Sequence, residues 1–116
     1  MKKLYFLFFL TIGFFGNAQI INFPDANFKN TLLLSNVAEN LSGALFIIDS
    51  NNNGEIEVLE VEQVKGLNVS SSSIFNLSGI HYFTNLEKLY CYDNLLTNVD
   101  ISQNYFLQEL YCGENQ

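Results

Sequence analysis

Apolar residues run from Leu4 to Phe15 with only Thr11 and Gly13 between them, after which the pattern changes character for the rest of the chain. The run follows Lys2 and Lys3 and leads into Gly16-Asn17-Ala18. A positive start, a short apolar stretch and small residues at its end predict a secretory signal peptide over 1–18, cleaved before Gln19. The stretch is too short for a bilayer-spanning helix, so no stable membrane insertion is expected after cleavage. No Cys follows the cleavage site to take a lipid anchor.

Beyond it, Pro24-Asp25 predicts a helix start, with Pro tolerated at the first helical position and the acid favoured at the positive end. Phe28 and Leu32 fall one turn apart on that helix. Val37, Leu41, Leu45 and Ile48 continue at helical spacing despite Gly43, and Glu57 to Val64 predicts a further helix. From Val64 the pattern becomes a repeat. Leu86-x-x-Leu89-x-Cys91-x-x-Asn94 recurs 21 residues later as Leu107-x-x-Leu110-x-Cys112-x-x-Asn115, and an earlier copy begins 22 residues before Leu86, at Val64-x-x-Leu67-x-Val69-x-x-Ser72. That period belongs to leucine-rich repeats. Each copy predicts a short strand whose alternate side chains enter a shared core, and stacking the copies makes the strands parallel. Asn94 and Asn115 fall where each coil bends, where a side-chain amide can bond the freed backbone groups. Ser72 holds that place in the first copy with less reach.

The fold class predicted is therefore an α/β repeat solenoid. It has a helical N-terminal cap over 19–63, then about three leucine-rich-repeat coils over 64–116. The last coil stops one residue after Asn115, and the expected reading is a fragment cut short at its C-terminus.

Candidate chemistry concentrates between the two parts. Asp49-Ser50-Asn51-Asn52-Asn53-Gly54-Glu55-Ile56-Glu57-Val58-Leu59-Glu60 fits an EF-hand-like calcium loop. Side-chain oxygens fall at positions 1, 3, 5, 9 and 12, the Glu55 carbonyl at 7, and Gly54 at the turn. The metal ligands expected are Asp49, Asn51, Asn53, Glu55, Glu57 (through water) and Glu60. With Asn at two ligand places, calcium binding should be weak, roughly 0.1 to 1 mM, and structural.

Charge adds one exclusion. The formal net charge is −7, and loss of Lys2 and Lys3 with the leader takes it to −9, leaving Lys29, Lys65 and Lys88. Such a chain repels a phosphate backbone, so nucleic acid is not an expected partner. On the solvent side of the strands the alternation places Lys88, Tyr90, Tyr92, Glu109 and Tyr111, a candidate face for a protein or carbohydrate ligand. Cys91 and Cys112 stand one coil apart. That spacing puts their Cα atoms within disulfide reach, but parallel Cβ vectors favour stacked buried thiols instead. His81 is the single histidine, no base accompanies Ser70 to Ser73, and no enzyme activity is expected.

Together these features resemble bacterial secreted internalin-like leucine-rich-repeat proteins. The resemblance is carried by Phe23-Pro24-Asp25-Ala26-Asn27-Phe28, by the Asp49–Glu60 loop, by Leu77-Ser78-Gly79-Ile80 with Phe83-Thr84-Asn85-Leu86, and by Leu89-Tyr90-Cys91-Tyr92-Asp93-Asn94. It implies a horseshoe that binds macromolecules, exported or at the cell surface, for recognition or adhesion. The alternative is a calcium-binding module in which the repeats are only scaffold.

Overall fold

The structure is a computed structural model that describes residues 19–116. The signal peptide expected over 1–18 lies outside the described residues. In chain order the elements are helix α1 (Ala26–Leu32), strands β1 (Ala38–Asn40) and β2 (Leu45–Phe46), helix α2 (Val58–Val61), β3 (Val64–Asn68), a 3-10 turn (Ile80–Tyr82), β4 (Lys88–Tyr90) and β5 (Glu109–Tyr111). The strands form one sheet in the order β2-β1-β3-β4-β5.

The repeat pattern sets the second half of that sheet. β3, β4 and β5 pair in parallel, with Leu67 opposite Leu89 and Leu89 opposite Leu110. Leu67, Val69, Leu89 and Cys91 turn into a core shared with Ile74, Leu86 and Leu96, while the alternate residues face solvent. Cys91 and Cys112 have Cα atoms 4.8 Å apart, as one strand spacing requires. They are joined in a disulfide, where the side-chain vectors favoured stacked thiols.

The first half corrects the sequence reading. Val37 to Ile48 is not helix. β1 and β2 make an antiparallel hairpin, and β1 pairs antiparallel with β3, so the parallel ladder is capped by strands. Val37 and Ile48 are buried as expected, but Leu41 and Leu45 are exposed. Gly43, in the left-handed region at φ 88°, turns the hairpin. Asn40 Oδ1 accepts from the Ser42 and Ala44 amides and the Ser42 hydroxyl, a local turn that outcompetes helix. The predicted exit helix also shortens to Val58–Val61, because Val64 enters β3. The segment expected to be a helical cap is thus mixed helix and hairpin.

The opening motif fastens this half to the repeats. Asp25 caps α1, whose first helical residue is Ala26, and Pro24 lies ahead of the cap rather than at the first helical position. One carboxylate oxygen accepts from the amides of Asn27 and Phe28. The other accepts from Phe75 and Asn76 in the first coil, at 2.7 and 3.0 Å. Asn27 Nδ2 donates to the Ser73 carbonyl beside them. Phe23 packs edge-on against Phe28, with centroids 5.2 Å apart, and its ring lies over Gly79. A Cβ on Gly79 would meet that ring at 2.6 Å, and its φ of 108° suits glycine alone.

Candidate functional site

Two places carry the predicted chemistry, and they lie on different elements. The first is the loop from Asp49 to Glu60. Asp49 Oδ1 accepts from the Asn53 amide and Oδ2 from the Gly54 amide. Asn51 and Asn53 each close a further turn through Oδ1, onto the amides of Asn53 and Glu55. Gly54 supplies the left-handed residue at φ 78°. Ile56 is fully buried, and its carbonyl accepts from the Ile21 amide, so the N-terminal segment pairs antiparallel with the far end of the loop.

The far side of the loop closes on itself. Glu60 accepts from the Ser50 and Glu57 amides. Glu57 accepts from Asn51 Nδ2 at 3.1 and 3.0 Å and from Asn53 Nδ2. Glu55, expected to contribute its carbonyl, uses its side chain to pair with Lys29 at 2.9 Å. Burial pushes the Glu60 carboxyl above its ordinary range, an effect to which the charge of Glu57 adds and which the amides it accepts oppose. Among the described residues no three His, Cys, Asp or Glu side chains gather closely enough to hold an ion. The six expected ligand residues all lie in this one loop, in which the Asn51 and Asn53 amides present their nitrogens to Glu57.

The second place is the solvent side of the strands. In the parallel register Gly66, Lys88 and Glu109 form one row, and Asn68, Tyr90 and Tyr111 the next. Tyr90 and Tyr111 stack with centroids 4.8 Å apart and planes 6° from parallel. This is the neighbour relation the 21-residue period predicts. The Tyr111 hydroxyl donates to Glu109 at 3.1 Å, which holds that phenol above its ordinary pKa. Tyr92 is exposed two residues beyond the end of β4.

Residues outside the predicted set border this face. β1 brings Glu39 opposite Gly66, and its carboxylate lies over the glycine. Where each coil leaves its strand, Ser71, Asp93 and Glu114 take positive φ values of 54°, 55° and 56°, and the Ser71 hydroxyl donates to Asp93 at 2.7 Å. The repeat spacing that aligns Asn94 with Asn115 also aligns these three, so that column was readable. Glu39 was not, because its strand read as helix.

The bends follow the asparagine expectation. Asn94 Oδ1 accepts from the Ser72 and Ile74 amides, and Nδ2 donates to the carbonyls of Val69, Cys91 and Tyr92. Asn115 repeats this one coil on, bonding Leu96, Cys91, Cys112 and Gly113. Ser72, as its shorter reach implies, bonds only the Ser70 carbonyl with its hydroxyl.

A parallel ladder on a 21-to-22-residue period, bent at asparagine, defines a leucine-rich-repeat fold. Solved structures place it more narrowly, as internalin-like. The functional domain of InlJ from Listeria monocytogenes, which includes a cysteine ladder, matches with a TM-score of 0.64 and 28% identity over 86% of this chain and 20% of that one. The internalin InlF of the same species matches with a TM-score of 0.64 and 25% identity, covering 81% of this chain and 25% of that one. Internalin C2, at 21% identity and a TM-score of 0.61, shares the fold over 84% of this chain and 40% of its own. The chain thus spans between a fifth and two fifths of these structures. No family model matches the chain, and no curated protein does.

Proposed function

We propose that this chain is an exported, non-catalytic recognition module that binds a protein or glycan through the tyrosine face of its repeats. The observation that carries the reading is the stacked pair Tyr90–Tyr111 on the solvent side of a sheet whose other side is core. Tyrosine offers apolar area with a polar tip at little conformational cost, which suits a contact surface. The leader pattern over 1–18 supports export. On an array of glycans and secreted-protein ectodomains, Tyr90→Ser/Tyr111→Ser should lose at least about tenfold in affinity for whatever the wild type binds. Phe75→Ser, at an exposed site off this face, should bind as wild type. Equal binding by the tyrosine variant, or a selective loss in Phe75→Ser, would sink the reading.

The cap before the repeats is proposed to hold a weak structural calcium ion in the Asp49–Glu60 loop. Support comes from the Gly54 turn, the Asp49 carboxylate set by two loop amides, and the closeness of Glu57 to Glu60, neither of which pairs with a cation among the described residues. Asp49, Asn51, Asn53, the Glu55 carbonyl, Glu57 and Glu60 would hold it, the two asparagines turning their oxygens inward. The ion would neutralise carboxylates and fix the angle between the segments flanking the loop. With a dissociation constant near 1 mM, 10 mM calcium should stabilise the protein by about 1.4 kcal/mol over EDTA, roughly 6 to 11 °C in the unfolding midpoint. The shift should vanish in Glu60→Ala. No shift in a wild type that unfolds cooperatively would reduce the loop to an asparagine-rich turn.

A further inference from the structure

From the arrangement of charge around the tyrosine ladder we infer that the partner it fits is a cationic polypeptide segment, one rich in arginine or lysine. The inference rests on the reading of this face as a recognition surface and adds the chemistry of what is recognised. Tyr90 and Tyr111 pair at the C-terminal ends of β4 and β5, the last two strands of the sheet, with Tyr92 just beyond. On one flank Glu39 and Glu109 stand in the row of Lys88, and on the other Asp93 and Glu114 stand in the column that begins at Ser71. With the exposed Asp93 and Glu114 in the bends that follow the strands, four carboxylates stand against one ammonium around the aromatic pair.

The pair itself is rich in acceptors. The Tyr111 hydroxyl spends its proton on Glu109 and keeps its lone pairs for an incoming donor. Because the two rings lie nearly parallel at 4.8 Å, each hides a face against the other, and the pair offers edges and hydroxyls to a ligand approaching the sheet. A neutral sugar ring stacks on an open aromatic face, which this arrangement restricts. Arginine and lysine instead bring donors without acceptors on apolar stems, and the stems can lie along the ring edges while the heads reach the carboxylates. The surrounding charge agrees: among residues 19–116 only Lys29, Lys65 and Lys88 are cationic, so a positive segment meets attraction across the whole approach.

The test is fluorescence anisotropy with labelled (Gly-Arg)6, (Gly-Gln)6 and (Gly-Glu)6 peptides and the neutral oligosaccharide chitohexaose, at 50 and 300 mM salt. The expected result is binding of (Gly-Arg)6 alone, several-fold weaker at the higher salt. That binding should weaken about tenfold or more in Tyr90→Ser/Tyr111→Ser, which removes the area the stems pack on, and in Asp93→Asn/Glu109→Gln, which removes the charge the heads reach. It should change less than about twofold in Glu62→Gln/Asp100→Asn, which removes the same charge elsewhere. Equal weakening in all three variants would mean diffuse attraction to an acidic protein and would overturn the inference, as would no binding of (Gly-Arg)6. Binding of (Gly-Gln)6 or chitohexaose that depends on the tyrosines, without (Gly-Arg)6 binding, would overturn it while leaving the recognition surface standing.

Discussion

Asp25→Ala should destabilise the protein by about 3 to 5 kcal/mol, a large part of the stability of a domain this size. One carboxylate, 1% exposed, accepts from four backbone amides in two parts of the fold. Loss of a helix N-cap costs about 1 kcal/mol, and each hydrogen bond to a charged group contributes about 1.5 to 3 kcal/mol. The sum is held below full additivity because Phe75 and Asn76 can regain water when the clasp opens. The unfolding midpoint should fall by roughly 12 °C or more. Asp25→Asn separates the two jobs. Its oxygen can still cap α1, but its amide nitrogen then faces the donors of Phe75 and Asn76, so it should recover about half the loss. Urea unfolding of both variants decides this: an Asp25→Ala protein within about 1 kcal/mol of wild type would remove the clasp, and an Asp25→Asn protein equal to wild type would leave only the cap.

This clasp also shows what a sequence does and does not reveal. The repeats were legible because a period carries its own check: Leu67, Leu89 and Leu110 share a coil position, and the parallel register pairs them. The same arithmetic placed Tyr90 beside Tyr111 and Asn94 ahead of Asn115. Val37 to Ile48 has no period to check against, and four apolar residues three or four apart fit a helix as well as a hairpin. Gly43 and the Asn40 turn decide for the hairpin, and both act through local backbone bonding that hydrophobic spacing does not report. Asp25 was legible as a helix-start acid, but its second pair of donors is 50 and 51 residues away, beyond any local pattern. The loop from Asp49 to Glu60 lies between these cases. Its turns follow the ligand spacing, while the direction of the Asn51 and Asn53 nitrogens is set by Glu57, which spacing alone does not orient.

Asn94→Ala should cost about 3 to 4 kcal/mol, and the accompanying variants identify the reason. Asn94 is 6% exposed and serves two amides and three carbonyls across two coils. Alanine leaves those groups buried without partners, at about 1 to 3 kcal/mol for each group that water cannot reach. Asn115→Ala should cost only about 1 kcal/mol, since the partly buried Asn115 accepts from Leu96 alone and its carbonyl partners sit nearer solvent. The sharper test is Asn94→Asp. Aspartate keeps the oxygen for Ser72 and Ile74, but it sets a charged oxygen against the carbonyls of Val69, Cys91 and Tyr92, where the amide donated. At neutral pH it should therefore be no better than alanine, although it is the closer match in shape. Amide hydrogen exchange at Ser72 and Ile74 would localise the loss, and near-ultraviolet dichroism from Tyr90 and Tyr111 would show whether the strand spacing that stacks them survives. A well-tolerated Asn94→Asp would mean that the three carbonyls find water. The bend would then be held by acceptor geometry alone, and the tyrosine face would owe its order to the strand ladder rather than to the asparagine beneath it.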